Sequence, residues 1–148
     1  MPDNHHKNIA TFIHLSTFSR FLIPFGNFIG PIVLWVTNKD KSEFIDANGK
    51  QAINFQISIL LYAIIIGTIS IPFFIFKIFK GIDFLDFNGW HDFHLNIGEP
   101  SPLLYIGGGL GVLAFLAFLL ELAFIVKASL AARDGKLYKY PLTINFLK

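Results

Sequence analysis

The sequence has no cysteine and, for 148 residues, little charge. The first absence excludes disulfides and thiolate chemistry, and it removes cysteine usage as a guide to compartment. Charged residues make up 15% of the chain, where soluble domains carry about 25%. The formal net charge of +2 is small, and the basic residues flank apolar segments without clustering. A nucleic-acid partner is not expected from that pattern. The glycines at Gly107, Gly108, Gly109 and Gly111 lack the Lys-Ser/Thr and the strand–helix context of a phosphate-binding loop. "WHDFH" offers His91, Asp92 and His94 without a further ligand cluster, which is weak as a metal signature. No nucleophile–base constellation stands out. Neither metal nor cofactor nor enzymatic activity is therefore expected. The opening "MPDNHHKNIATFIHLSTFSRF" is interrupted by polar residues throughout, so it is expected to be retained and not cleaved as a secretory signal.

What the sequence does contain is apolar length. Hydrophobic residues make up 53% of it, eighteen residues are Phe, and the mean hydropathy is +0.57. Residues 53–76 and 103–126 are each long enough to cross a hydrocarbon core of about 30 Å at about 1.5 Å per residue. These imply two full transmembrane helices, at about 52–76 and 103–126. Between them lies an acidic loop, 77–102, and after them a polar tail, 127–148.

The region before them, about 8–37, is apolar overall but broken. "IPFGNFIGPI" carries the Gly, Pro and Asn punctuation of a turn between two short helices. It reads as a single interrupted span or as a hairpin entering and leaving by one face. Lys39, Lys41 and Lys50 precede the first long span, and Arg133, Lys136, Lys139 and Lys148 follow the second. Asp83, Asp86, Asp92 and Glu99 lie in the loop between. The positive-inside rule then puts both termini in the cytoplasm and favours the hairpin, which adds Lys7 to that side. The expected fold is an all-α integral membrane bundle: an N-terminal broken or re-entrant hairpin plus two full spans.

Polar residues inside these segments are the candidate site. Gln51, Asn54, Ser58 and Tyr62 fall within about 80° on a helical projection, with Gln56 set apart. Such a stripe faces protein or a wet cavity, because unsatisfied amides in hydrocarbon are expensive. Glu121 shares a face with Gly107, Gly111, Ala114, Ala128 and Ala132. Small residues at that spacing let helices approach closely, which points Glu121 into a packed interface and calls for a partner. His14, about two turns from Lys7, is expected at the same level. Glu121, Asn54, Gln51, Ser58 and His14 are thus the expected inner-leaflet cluster, either a structural knot or a proton relay. Arg20 must snorkel, pair or face water. Gly135 is expected to end the last helix, with Tyr138 and Tyr140 in the headgroup layer.

"HLSTFSRFLIPFGNFIGPIVLWVTNKDKSEFIDANGKQAINFQIS" and "KLYKYPLTINFL" resemble the signatures of a large family of small bacterial membrane proteins grouped as a domain of unknown function. That family is regarded as distantly similar to the twenty-kilodalton Tic component of the chloroplast import machinery. The resemblance implies a four-element helical architecture with cytoplasmic termini, and it supplies no catalytic residues to carry over. The function expected is a non-enzymatic accessory or interaction subunit, as in protein translocation, with a small solute or proton conduit as the alternative. Its expected partners are the lipid bilayer and a membrane protein or a second copy of the chain.

Overall fold

A computed structural model describes residues 2–81 and 102–148, all of them helical or irregular. Helix α1, Asn4–Leu15, begins where the Asp3 carboxylate accepts the His6 N–H at 2.7 Å. Its end is written in hydroxyls. Ser16, Thr17 and Ser19 donate to carbonyls three residues earlier, at 2.7, 2.7 and 2.6 Å. Side chains that compete this way for the i−3 carbonyl tighten the chain into a 3-10 segment, Ser16–Phe21.

The chain then reverses at Phe25, which adopts a left-handed φ of 58°, and helix α2 follows as Gly26–Val36. Two glycines four residues apart make the reversal possible. A Cβ on Gly26 would overlap the Ser19 carbonyl, and one on Gly30 would lie 2.6 Å from the Ser16 oxygen. Residues 4–36 therefore fold back on themselves as a helical hairpin and do not form one interrupted span.

After a 3-10 turn at Lys39–Lys41 come the long helices α3, Glu43–Gly81, and α4, Pro102–Arg133. Both overrun the segments expected from hydropathy. The first turns of α3 hold an Asp46–Lys50 ion pair at 2.6 Å, a polar start that hydropathy alone does not score as span. Helix α4 continues through Lys127, so the irregular tail begins at residue 134 and not at 127. Gly135, with φ 78°, closes α4 as foreseen. The Gly135 N–H meets the Ala132 carbonyl at 2.9 Å and the Lys136 N–H meets Ala131 at 2.8 Å, a Schellman motif. Most of the acidic loop, including His91, Asp92 and His94, lies outside the described residues.

Met1–Tyr62 and Leu119–Lys148 form one unit, and Ala63–Phe118 a second. In the first unit the side-chain contacts set the register. Thr11 approaches the Ser129 carbonyl and Arg20 meets Glu121, so α1 and its 3-10 extension run antiparallel to α4. His14 meets Asn48 and Arg20 meets Gln56, which makes the same segment parallel to α3. Trp35 meets Asp46 and Asn27 meets Gln56, so α2 is antiparallel to α3. The start of α1, the link 37–42, the start of α3 and the end of α4 therefore share one end of this unit. Ile13, Ile45 and Ala52 pack at that end with Ile9, Leu34 and Trp35. Phe55, Ile125, Ala128 and Tyr140 form a second cluster with Phe18, Ile59 and Phe124.

The second unit is different in surface. Ile64, Ile65, Ile66 and Ile69 of α3 are exposed, as are Val112, Leu113 and Phe115 of α4. Gly111 and Ala114, expected to pack against a neighbouring helix, are exposed too. A Cβ on Gly108, Gly109 or Gly111 would meet nothing within 4 Å. Gly107 is part-buried. Within the chain, among the described residues, close helix contact falls at Gly26 and Gly30, where "GNFIG" has the small-xxx-small spacing.

Candidate functional site

Arg20 is the centre of the buried polar structure. It leaves the 3-10 segment and grips Glu121 with both guanidinium arms, Nη1 to Oε2 at 2.9 Å and Nη2 to Oε1 at 2.6 Å. A planar fork suits a carboxylate in this way, and the pairing satisfies both charges at once. Arg20 Nη2 also donates to Gln56 Oε1 at 2.9 Å, and Asn27 Nδ2 donates to the same oxygen at 2.8 Å. The Gln56 amide nitrogen faces Glu121 Oε1 at 3.5 Å. Four segments thus contribute one residue each to a knot in which the Glu121 side chain is 6% exposed and the Arg20 side chain 21%. Glu121 has the partner its position demanded. That partner is Arg20, with Gln56 beside it, and neither His14 nor the amide stripe.

His14 belongs to a second arrangement. Its Nε2 lies 3.0 Å from Asn48 Oδ1, and its Nδ1 lies 2.9 Å from the Tyr140 hydroxyl. Asn48 spends its amide nitrogen on the Phe44 carbonyl at 2.8 Å, which leaves Oδ1 as acceptor. The neutral imidazole must then carry its proton on Nε2 and accept from Tyr140 at Nδ1. Burial pushes the Tyr140 phenol well above its usual range, so it keeps the proton it donates. Tyr140 stacks on Phe55 with centroids 4.1 Å apart and is 5% exposed. It is a core residue and not a headgroup anchor.

The amide stripe makes a third arrangement. Asn54 binds the backbone of Leu147 on both sides, donating to its carbonyl at 3.0 Å and accepting its N–H at 2.8 Å. Ser58 accepts the Ile144 N–H at 2.9 Å, and Tyr62 donates to the Leu142 carbonyl at 2.7 Å. One face of α3 therefore straps the tail by its main chain. Gln51, on the same projection, is part-buried and makes none of these bonds. The change Asn54→Ala removes both bonds to Leu147, at about 0.6–2 kcal/mol each. Carboxypeptidase should then digest residues 142–148 faster in detergent, with Gln51→Ala indistinguishable from the parent.

Four of the five expected site residues are thus divided among three arrangements, and Gln51 joins none. Arg20, Gln56, Asn27, Asn48 and Tyr140 were not among them. Two signals were available. An arginine and a glutamate on apolar segments are each other's cheapest solution, and Gln56 was discarded only because one projection was made to serve the whole stripe.

The segments Glu43–Pro72 and Gly107–Arg133 are long and apolar enough to cross a membrane, and only 33% and 11% of their best windows are buried. A core helix of a soluble protein would be mostly covered. Residues 5–147 match the magnetosome magnetite crystal formation protein family. The chain belongs to that family. The match takes in the hairpin, both long helices and nearly all of the tail, and it identifies a small bacterial membrane protein. No curated protein and no solved structure matches the chain. Likeness to the chloroplast import component rests on the sequence signatures alone. For a member of the magnetosome magnetite crystal formation family, the described residues hold no group of three or more His, Cys, Asp or Glu placed to share a metal ion.

Proposed function

We propose that the chain is a non-enzymatic accessory subunit of a larger assembly in the cytoplasmic membrane or a membrane derived from it, with both termini on the cytoplasmic side. The observation that carries this reading is the closure of the polar knot. Arg20, Glu121, Gln56 and Asn27 spend their hydrogen bonds on one another. Among the described residues, Thr143 Oγ1 is the single buried side-chain polar atom without a partner. A reacting or conducting site needs a polar group turned toward substrate or a water path, whereas a satisfied knot serves to hold helices in register.

The family description directs the choice of assembly toward one that forms magnetite at a magnetosome membrane. Protein translocation is the weaker choice, since only the sequence resemblance favours it. Solubilisation in mild detergent followed by identification of co-purifying proteins tests the accessory role. A defined membrane partner in constant ratio is expected. Proton or solute flux through liposomes holding the purified chain, lost in Glu121→Gln, would replace this reading with a conduit.

A further inference from the structure

We propose that residues 4–36 form a re-entrant hairpin, which enters the hydrocarbon layer, turns inside its nearer half at residues 21–25 and leaves by the face it entered. Lipid chains are the occupant of its tip. The inference rests on the membrane reading above and adds a depth to it.

The depth comes from the register. Arg20, just before the turn, and Asn27, just after it, both bond Gln56 of α3, and Arg20 bonds Glu121 of α4. The apolar stretch of α3 begins at Ile53 and that of α4 ends at Val126, so Gln56 and Glu121 each lie about one turn inside the same end of their helices. Two helices independently place the turn inside their own apolar stretches, in the half nearer the ends of the hairpin. The length of α2 agrees. Its 11 residues rise about 16 Å at about 1.5 Å each, half of a hydrocarbon layer about 30 Å thick.

The tip has the surface that hydrocarbon requires, and three of its N–H groups are bonded back to the chain. Leu22, Ile23 and Phe25 are 84%, 45% and 72% exposed. In water such a contiguous apolar patch would be a liability. The N–H groups of Leu22 and Ile23 return to the Ser19 carbonyl at 3.0 Å each, and the Gly26 N–H returns to Ile23 at 3.1 Å. Pro24 has no N–H to satisfy. Non-helical backbone at membrane depth is otherwise a severe cost. Along the flank, Ile9, Phe12, Leu15 and Leu34 line an open apolar groove between α1 and α2. Both ends of the hairpin carry charge, Asp3 and Lys7 on one side and Lys39, Asp40 and Lys41 on the other, and they lie at the same end of the unit. Arg20 is tolerated beside the tip because Glu121 neutralises it there.

The absence of native cysteine makes the test direct. Single variants His5→Cys, Asp40→Cys, Leu22→Cys and Phe25→Cys all replace exposed side chains. They would be treated with a membrane-impermeant maleimide in right-side-out and inverted vesicles, and the last two would also be spin-labelled. Positions 5 and 40 are expected to react from the same face, and positions 22 and 25 from neither. Spin labels at 22 and 25 should be relaxed by oxygen at least several-fold more than by a water-soluble nickel chelate. Reaction of position 22 or 25 from the face opposite to 5 would overturn the proposal in favour of a full crossing. Reaction from the same face as 5 would overturn it in favour of a hairpin lying at the surface. Release of the unlabelled parent by alkaline wash without detergent would overturn the membrane reading itself, a separate failure.

Discussion

Arg20→Leu is expected to destabilise the first unit by about 3–5 kcal/mol, because it leaves Glu121 buried beside Gln56 with no cation. The double variant Arg20→Leu/Glu121→Leu should recover much of that loss. Removing both charges eliminates the cost of burying either one, and leucine suits the apolar surroundings. Gln56 then keeps its bond from Asn27. Glu121→Gln should fall between the two, since a neutral amide still accepts from the guanidinium but leaves one charge unbalanced. Heating purified protein in detergent and measuring the fraction that stays monodisperse gives the ranking. A double variant no more stable than the worse single would mean that the two side chains do not act as a coupled pair.

The second large effect is expected at a glycine. Gly26→Leu should prevent the hairpin from closing, because even a Cβ at that position overlaps the Ser19 carbonyl, and backbone cannot swing aside as a side-chain tip can. Gly26→Ala should cost at least the 1–3 kcal/mol typical of overpacking, about, and probes the same contact more gently. Gly111→Leu meets open space and should leave stability in detergent unchanged. Accumulation in membranes and thermal stability of the three variants decide the matter. Loss of stability at Gly111 with tolerance at Gly26 would reverse the assignment of the close-packed face.

The two long helices were readable because transfer to lipid depends on summed hydropathy, which composition reports directly. Their ends were not, since backbone hydrogen bonding carries a helix past its apolar stretch into Glu43 at one end and Arg133 at the other. Glu121 was readable as a buried group in need of a partner. The identity of that partner was hidden in the 3-10 segment, where hydroxyl-to-carbonyl bonds change the angular step per residue and carry Arg20 to a direction that a 100° projection does not give. Asn54 and Ser58 were readable as a face that must be covered. Nothing in helix periodicity says that the cover is the backbone of the tail. Gly26 and Gly30 were in plain view as turn punctuation, but that the backbone of residues 16–20 would crowd a Cβ at each depends on the path of the 3-10 segment, which spacing alone does not give.

The strap and the knot also impose an order on biosynthesis. Arg20 leaves the ribosome 101 residues before Glu121, Gln56 precedes that same carboxylate by 65, and Asn54 precedes Leu147 by 93. In a nascent chain that has made its hairpin and α3 but not α4, the guanidinium has Gln56 to bond and no counter-charge. The energy gained on pairing is then available to draw α4 into place. The last helix to be synthesised is the one that closes the first turn.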